Sequence, residues 1–114
     1  MRTETPMWLR RVLQAAAVLF FLTPSTLPSN AQEAMVKIDN FVFAPERLEI
    51  KAGTKVTFYN EDDIPHSIVA ADKAFRSKAL DTDESFSFTF TSAGSYEYFC
   101  GLHPHMKGLI VVTQ

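Results

Sequence analysis

Near its C-terminus the chain reads Phe99-Cys100-Gly101-Leu102-His103-Pro104-His105-Met106-Lys107-Gly108, and upstream it reads Ile64-Pro65-His66-Ser67. A thiolate, two imidazoles and a thioether are the donors of a trigonal copper site with two His, one Cys and a long, weak axial Met. The spacing suits that chemistry. A Cys at a strand end, a His three residues on and a Met three beyond can converge from one tight loop. His66 must then arrive from a neighbouring strand. Pro104 stiffens the loop, while Gly101 and Gly108 relieve crowding where backbone passes close to the metal or to another strand. Soft sulfur donors favour copper over magnesium or calcium.

Taken singly, each residue has a plainer reading. A solitary Cys is commonly a buried small hydrophobe, Met106 can fill a core, and His66 can cap a turn. A Cys/His nucleophile is a further alternative, although no orienting Asn/Asp or oxyanion motif accompanies it. Taken together, three of the four His and Cys residues after position 31, and the only Met there besides Met35, fall into one ligand pattern.

The elements that must position these donors read as strands. Val36 and Ile38, Leu48 and Ile50, and Val56 and Phe58 each alternate with polar residues. Phe86, Phe88 and Phe90 alternate with Ser85, Ser87 and Thr89, the clearest half-buried strand of the chain. Tyr96, Tyr98 and Cys100 share one face of the next strand, so Phe99 points to the other. Lys107 to Thr113 supplies a last strand, apolar on both faces over Leu109–Val112. Ile64-Pro65-His66-Ser67 opens another, and residues 72–80 admit a loop, a short strand or one helical turn. Turn residues separate the runs, as at Ala52-Gly53, Asn60-Glu61-Asp62-Asp63 and Ser92-Ala93-Gly94. Six to eight short strands of this kind point to a β-sandwich.

The first thirty residues read differently. Arg2, Arg10 and Arg11 precede an 11-residue, largely apolar run from Val12 to Leu22, and Ser29-Asn30-Ala31 follows a Pro-containing stretch. That is the pattern of a cleavable signal peptide over residues 1–31, with residues 32–114 as the folded domain. A membrane anchor is the competing reading, but a spanning helix needs about 20 apolar residues. Arg10-Arg11 partly matches a twin-arginine signal and does not separate that export route from the general one. Removing the leader takes three Arg and one Glu, leaving 83 of the 114 residues and moving the formal charge from −2 to −4. One small domain without a basic stripe excludes a nucleic-acid binder. The lone Cys100 excludes an internal disulfide framework and a four-cysteine zinc site.

From Phe41 to Val112 the chain resembles the cupredoxins, small blue copper proteins, in their amicyanin and plastocyanin branch. The residues that carry the resemblance are Phe43-x-Pro45, Gly53-x-x-Val56-x-Phe58-x-Asn60, Pro65-His66, Phe88-x-Phe90-x-x-x-Gly94-x-Tyr96-x-Tyr98-x-Cys100 and His103-Pro104-x-Met106-x-Gly108-x-x-Val111. The two-residue gaps on either side of His103 resemble the short ligand loop of amicyanins. The resemblance implies an all-β Greek-key sandwich of about seven to eight strands and one type 1 copper ion. It implies His66, Cys100, His103 and Met106 as the ligands, and single-electron shuttling between redox partners rather than enzymatic turnover.

Three departures qualify what carries over. Ser67 stands where many relatives have an Asn that braces the ligand loop, and this shorter side chain leaves the reduction potential open. His105 stands where amicyanins have an apolar residue; it reads as a solvent-facing loop side chain, with a role in copper binding as the alternative. The domain also lacks the longer N-terminal strand of amicyanins, so their partner does not carry over.

His103, flanked by Gly101, Leu102 and Pro104, would present its ring edge through an apolar patch as the electron port, with Phe99 as a second route. Glu61-Asp62-Asp63 and Asp81, Asp83 and Glu84 read either as solvated turns or as a field that steers a basic partner. The expected protein is a periplasmic monomer with no membrane span after cleavage. Its partners would be redox proteins such as a c-type cytochrome or a periplasmic dehydrogenase. A periplasmic copper-binding carrier or homeostasis protein is the alternative function.

Overall fold

The computed structural model describes residues 18–23 and 32–114. Most of the leader read from the sequence, and its cleavage site, lie outside the described residues. Among the described residues no helix is long and apolar enough to cross a membrane.

Among the described residues, eight strands form two four-stranded sheets. The strands are β1 (Glu33–Asp39), β2 (Val42–Ala44), β3 (Arg47–Lys51), β4 (Thr54–Asn60), β5 (Val69–Ala70), β6 (Ser85–Phe90), β7 (Gly94–Phe99) and β8 (Lys107–Thr113). One sheet runs β2-β1-β4-β6 and the other β3-β8-β7-β5. The alternation in the sequence explains the faces. In β1, Val36 and Ile38 are buried between exposed Glu33, Lys37 and Asp39, and in β4, Val56 and Phe58 do the same. β6 places Phe86 and Phe88 half-buried and Phe90 fully buried, with Ser85, Ser87 and Thr89 outward. β8 buries only one of its two apolar faces fully: Gly108, Ile110 and Val112 point inward, whereas Leu109 and Val111 are half-covered.

The inward residues meet as an aromatic core. Phe58 lies 5.2 Å from Tyr98, and Tyr98 lies 4.8 Å from Phe43, both edge to face. Phe75 packs 4.8 Å from Phe88 and 5.4 Å from Phe90. Each such fully buried side chain contributes about 1.5–3 kcal/mol by leaving water.

Residues 72–80, open between three readings in the sequence, are an irregular extended loop. Phe75 and Leu80 are buried, and the stretch folds back on residues 66–70: Ala70 N–H donates to the Phe75 carbonyl, Ser77 N–H to Ile68, and His66 and Leu80 bond each other in both directions. His66 therefore sits in an isolated two-residue bridge rather than opening a regular strand. Periodicity was silent here because the buried residues are irregularly spaced. β2, a three-residue strand, is likewise too short to show a period.

Gly108 and Tyr98 face each other across β7 and β8, and a Cβ on Gly108 would lie 2.3 Å from the Tyr98 ring. The glycine is what lets that ring lie flat across the neighbouring strand. The Tyr98 hydroxyl is buried with no hydrogen-bond partner among the described residues. Burial, and next the charge of Glu46, push its ionisation well above the ordinary 10.0. A raised folded-state value means stability that is complete below pH 10.0 and declines above it, where the unfolded phenol ionises and the folded one does not. Tyr98→Phe is expected to keep its pH 7 stability within about 1 kcal/mol of wild type, because a buried hydroxyl without a partner gains little. The same variant should show a shallower loss above pH 10 in urea unfolding; identical alkaline slopes would contradict this reading of Tyr98.

Candidate metal centre

The candidate site lies at one end of the sandwich, where β7 stops at Phe99 and β8 starts at Lys107. Between them Cys100 to Met106 make a tight loop held by its own backbone. Cys100 N–H donates to the Met106 carbonyl (3.0 Å), Met106 N–H to the His103 carbonyl (2.9 Å) and His103 N–H to the Cys100 carbonyl (3.2 Å). Cys100 and Met106 are buried, His103 is half-buried, and His105 is exposed as the sequence suggested. His66 comes from the bridge on the adjoining loop and is fully buried.

Cys100 Sγ lies 3.6 Å from Nδ1 of His66 and 3.6 Å from Nδ1 of His103. The donor atoms of these three residues all lie within 4.8 Å of one another. Metal–sulfur and metal–nitrogen bonds of about 2.0–2.3 Å span such separations when one ion is shared. Both imidazoles turn Nδ1 toward the sulfur, which leaves Nε2 of His66 free to bond outward. The structure thus brings together the three sequence-identified donors that have Nδ1 or Sγ atoms, and ties Met106 into the same loop.

Ser67 fills the bracing role despite its short side chain. Gly101 N–H donates to Ser67 Oγ (3.0 Å), and Ser67 N–H points at Cys100 Sγ (3.4 Å). The contact works because Gly101 has no side chain: a Cβ there would lie 2.7 Å from Ser67 Oγ and 3.2 Å from Val69. Gly101 thus closely approaches Ser67 and, in β5, Val69, while Gly108 closely approaches Tyr98 of β7.

Two residues the sequence reading did not place at the site belong to it. Asp62, grouped there with Glu61 and Asp63 as surface charge, is only 9% exposed. Its Oδ2 accepts from His66 Nε2 (2.8 Å) and Phe41 N–H (3.0 Å), and its Oδ1 from Asn40 N–H (2.7 Å). Asp62 N–H donates to Asn60 Oδ1 (2.9 Å), and the Thr82 hydroxyl donates to its carbonyl (2.6 Å). The carboxylate is a structural anchor because it has three donors to satisfy, and it is not presented to solvent as Glu61 and Asp63 are. A carboxylate four residues before a His in an irregular loop has no diagnostic spacing, so only the fold exposes this role. The other is Phe41, which lies edge-on to the rings of His66 (5.6 Å) and His103 (5.1 Å). It stands beside His103, whose chain neighbours Leu102 and Pro104 are exposed, so the apolar surround expected from the loop alone gains a residue from a second segment. Phe99 is half-buried on the outer face of β7, away from this group.

Two packed sheets with a Cys and two His converging at one end define a small copper-binding redox domain. A model of the cupredoxin-like domain matches residues 12–112. The chain belongs to this cupredoxin-like family. It is 31% identical over 118 residues to amicyanin-alpha of Methylorubrum extorquens, covering 91% of this chain and 99% of that one. It is 35% identical over 119 residues to the chloroplastic plastocyanin of Tetradesmus obliquus, covering 91% and 82%. Among solved structures it is similar to a purple cupredoxin from Nitrosopumilus maritimus, with a TM-score of 0.68 and 34% identity over 70% of this chain and 99% of that one. As a member of the family it is a copper electron carrier and not an enzyme, with one type 1 copper as cofactor.

Burial on its own would raise the pKa of Asp62, but the amides of Phe41 and Asn40 and the His66 ring outweigh it and hold the carboxyl below its ordinary 3.8. A lowered folded-state value means stability that is present above 3.8 and lost as pH falls through the lower folded value. Acid titration of the metal-free protein is expected to show this loss in wild type and a flatter profile in Asp62→Asn. Superimposable profiles below pH 3.8 would remove Asp62 from the anchor role.

Proposed function

We propose that this chain is an exported single-electron carrier whose copper is held by His66, Cys100, His103 and Met106. The observation that supports it most strongly is the meeting of Cys100 Sγ with two Nδ1 atoms at 3.6 Å inside a hydrogen-bonded frame. When bound, the copper supplies a one-electron couple between Cu(I) and Cu(II). The chain supplies a geometry that changes little between those states. His66 is fixed by Asp62, Cys100 and Met106 by the loop's own backbone bonds, and Cys100 Sγ faces the Ser67 amide. Cys100 would bind as thiolate, since coordination deprotonates a thiol. Little rearrangement means a small barrier to electron transfer.

The half-buried His103 edge within its apolar surround serves as the electron port. A small patch of this kind suits the brief, low-area encounters of redox pairs. The leader over residues 1–31 directs export, and the mature domain of residues 32–114 works in the periplasm as a monomer. Its partners are redox proteins with a basic docking face, such as a c-type cytochrome or a periplasmic dehydrogenase.

Charge placement favours such a partner. Asp83 N–H bonds the Asn60 carbonyl, and Asn60 N–H bonds the Glu84 carbonyl, so the Asn60–Asp63 loop and the Asp81–Glu84 turn lie side by side. Exposed Glu61, Asp63, Asp81 and Asp83 are thereby gathered, with Asp62 withdrawn beneath them. Electrostatic steering raises association rates and is screened by salt.

Two measurements test the proposal. The mature protein loaded with Cu(II) is expected to show an intense blue thiolate band and fast reversible voltammetry. Cys100→Ser should lose that band entirely. A colourless wild-type site that yields its copper to a mild chelator would instead indicate a copper-trafficking protein. Separately, stopped-flow reduction by a basic c-type cytochrome is expected to slow as ionic strength rises. A salt-independent rate would refute steering by the acidic group.

A further inference from the structure

Asn40 and Phe41 both adopt left-handed backbone, with φ of 52° and 62°. Asn tolerates this region, whereas for a bulky aromatic it is a genuine outlier. Such residues persist only where their surroundings over-determine them, and they cluster where the strained geometry serves a purpose. Here the over-determination is visible. Both amides donate to the Asp62 carboxylate, which also bonds the His66 ring, while Asn60 and Thr82 hold the Asp62 backbone.

The strain is not offset by burial of the ring, since Phe41 remains 46% exposed. It stations the ring in one place: edge-on to His66 and to His103, whose own rings are 5.0 Å apart. A ring that contacts both imidazoles covers the seam between them on the side facing water. The site needs cover there. With the Met106 thioether as its weakest donor, a copper held here could accept a further small ligand, and His103 is only half-buried. Core packing does not account for a half-exposed side chain held in an unfavourable conformation.

We propose that Phe41 is a fixed aromatic shield over the two histidines, stationed by Asp62, that excludes small anionic ligands from the copper; this rests on the copper reading given above. Phe41 acts by position, and its anchor is the same carboxylate that orients His66. An anion bound at the metal would stabilise Cu(II) and hinder its return to Cu(I), so excluding it keeps the couple reversible.

The test is titration of the Cu(II)-loaded protein with azide, followed by visible and paramagnetic resonance spectra. Wild type and Phe41→Tyr, which keeps the ring, are expected to show unchanged spectra. Phe41→Ala and Phe41→Gly should show a saturable azide-dependent change, with affinity raised roughly tenfold or more over wild type. Glycine suits the left-handed backbone, so Phe41→Gly separates loss of the ring from strain and still folds if alanine does not. A purely structural role would move the unfolding midpoint and leave all spectra insensitive to azide. That outcome, or azide binding by wild type, would overturn the shield while the copper reading stands. A wild-type protein without the thiolate band would overturn the copper reading and the shield with it.

Discussion

One carboxylate holds the candidate metal end together. Asp62 receives a hydrogen bond from the ring of His66 and two from the turn between β1 and β2, and its own backbone is pinned by Asn60 and Thr82. It thereby joins the deepest histidine, the strained turn and the start of the 81–84 turn. A buried anion is costly unless several donors are aimed at it. The three donors meet that condition, and it is the anion that makes their arrangement stable. Remove the negative charge, and the common acceptor of two amides and an imidazole is weakened.

The sandwich explains why such a joint is needed. Cys100, His103 and Met106 leave from β7 and return into β8 in one sheet, whereas Asp62 and Phe41 follow strands of the other. His66 lies between, on the bridge to Leu80. A site assembled from both sheets keeps its shape only if something fixes one sheet's end to the other's. The aromatic core from Phe43 through Tyr98 to Phe58 does this in the interior. At the open end, where packing thins out, hydrogen bonds take over: Asp62 on His66 from one side, Ser67 on Gly101 and Cys100 from the other.

Much of this was legible in the residues. Period-two alternation located β1, β3, β4 and β6, because half-buried strands must alternate. The donor types and the Cys100–His103–Met106 spacing marked the loop, because a metal demands particular atoms close together. Asp62 and Phe41 escaped for the opposite reason. An acidic residue in a run of three reads as solvent-facing, and a single aromatic at Phe41 belongs to no alternating run. Their roles depend on contacts 21 and 22 residues apart that leave no local pattern. Ser67 was undervalued because side-chain length was compared without knowing how closely Gly101 approaches.

The compactness of the Cys100–Met106 loop has a thermodynamic side. Three of the four proposed donors lie within seven consecutive residues. His66 and the enclosing strands, by contrast, come together only through distant pairings, such as Leu48 with Ile110 and Val36 with Phe58. Chains ruled by such pairings fold slowly. An unfolded chain therefore still offers copper a thiolate, an imidazole and a thioether in one short segment. Ligand linkage stabilises a fold only by the difference in affinity between folded and unfolded forms. The tightness with which the finished site holds its metal thus overstates what the metal adds to the stability of the fold, and capture of copper can precede completion of the sandwich.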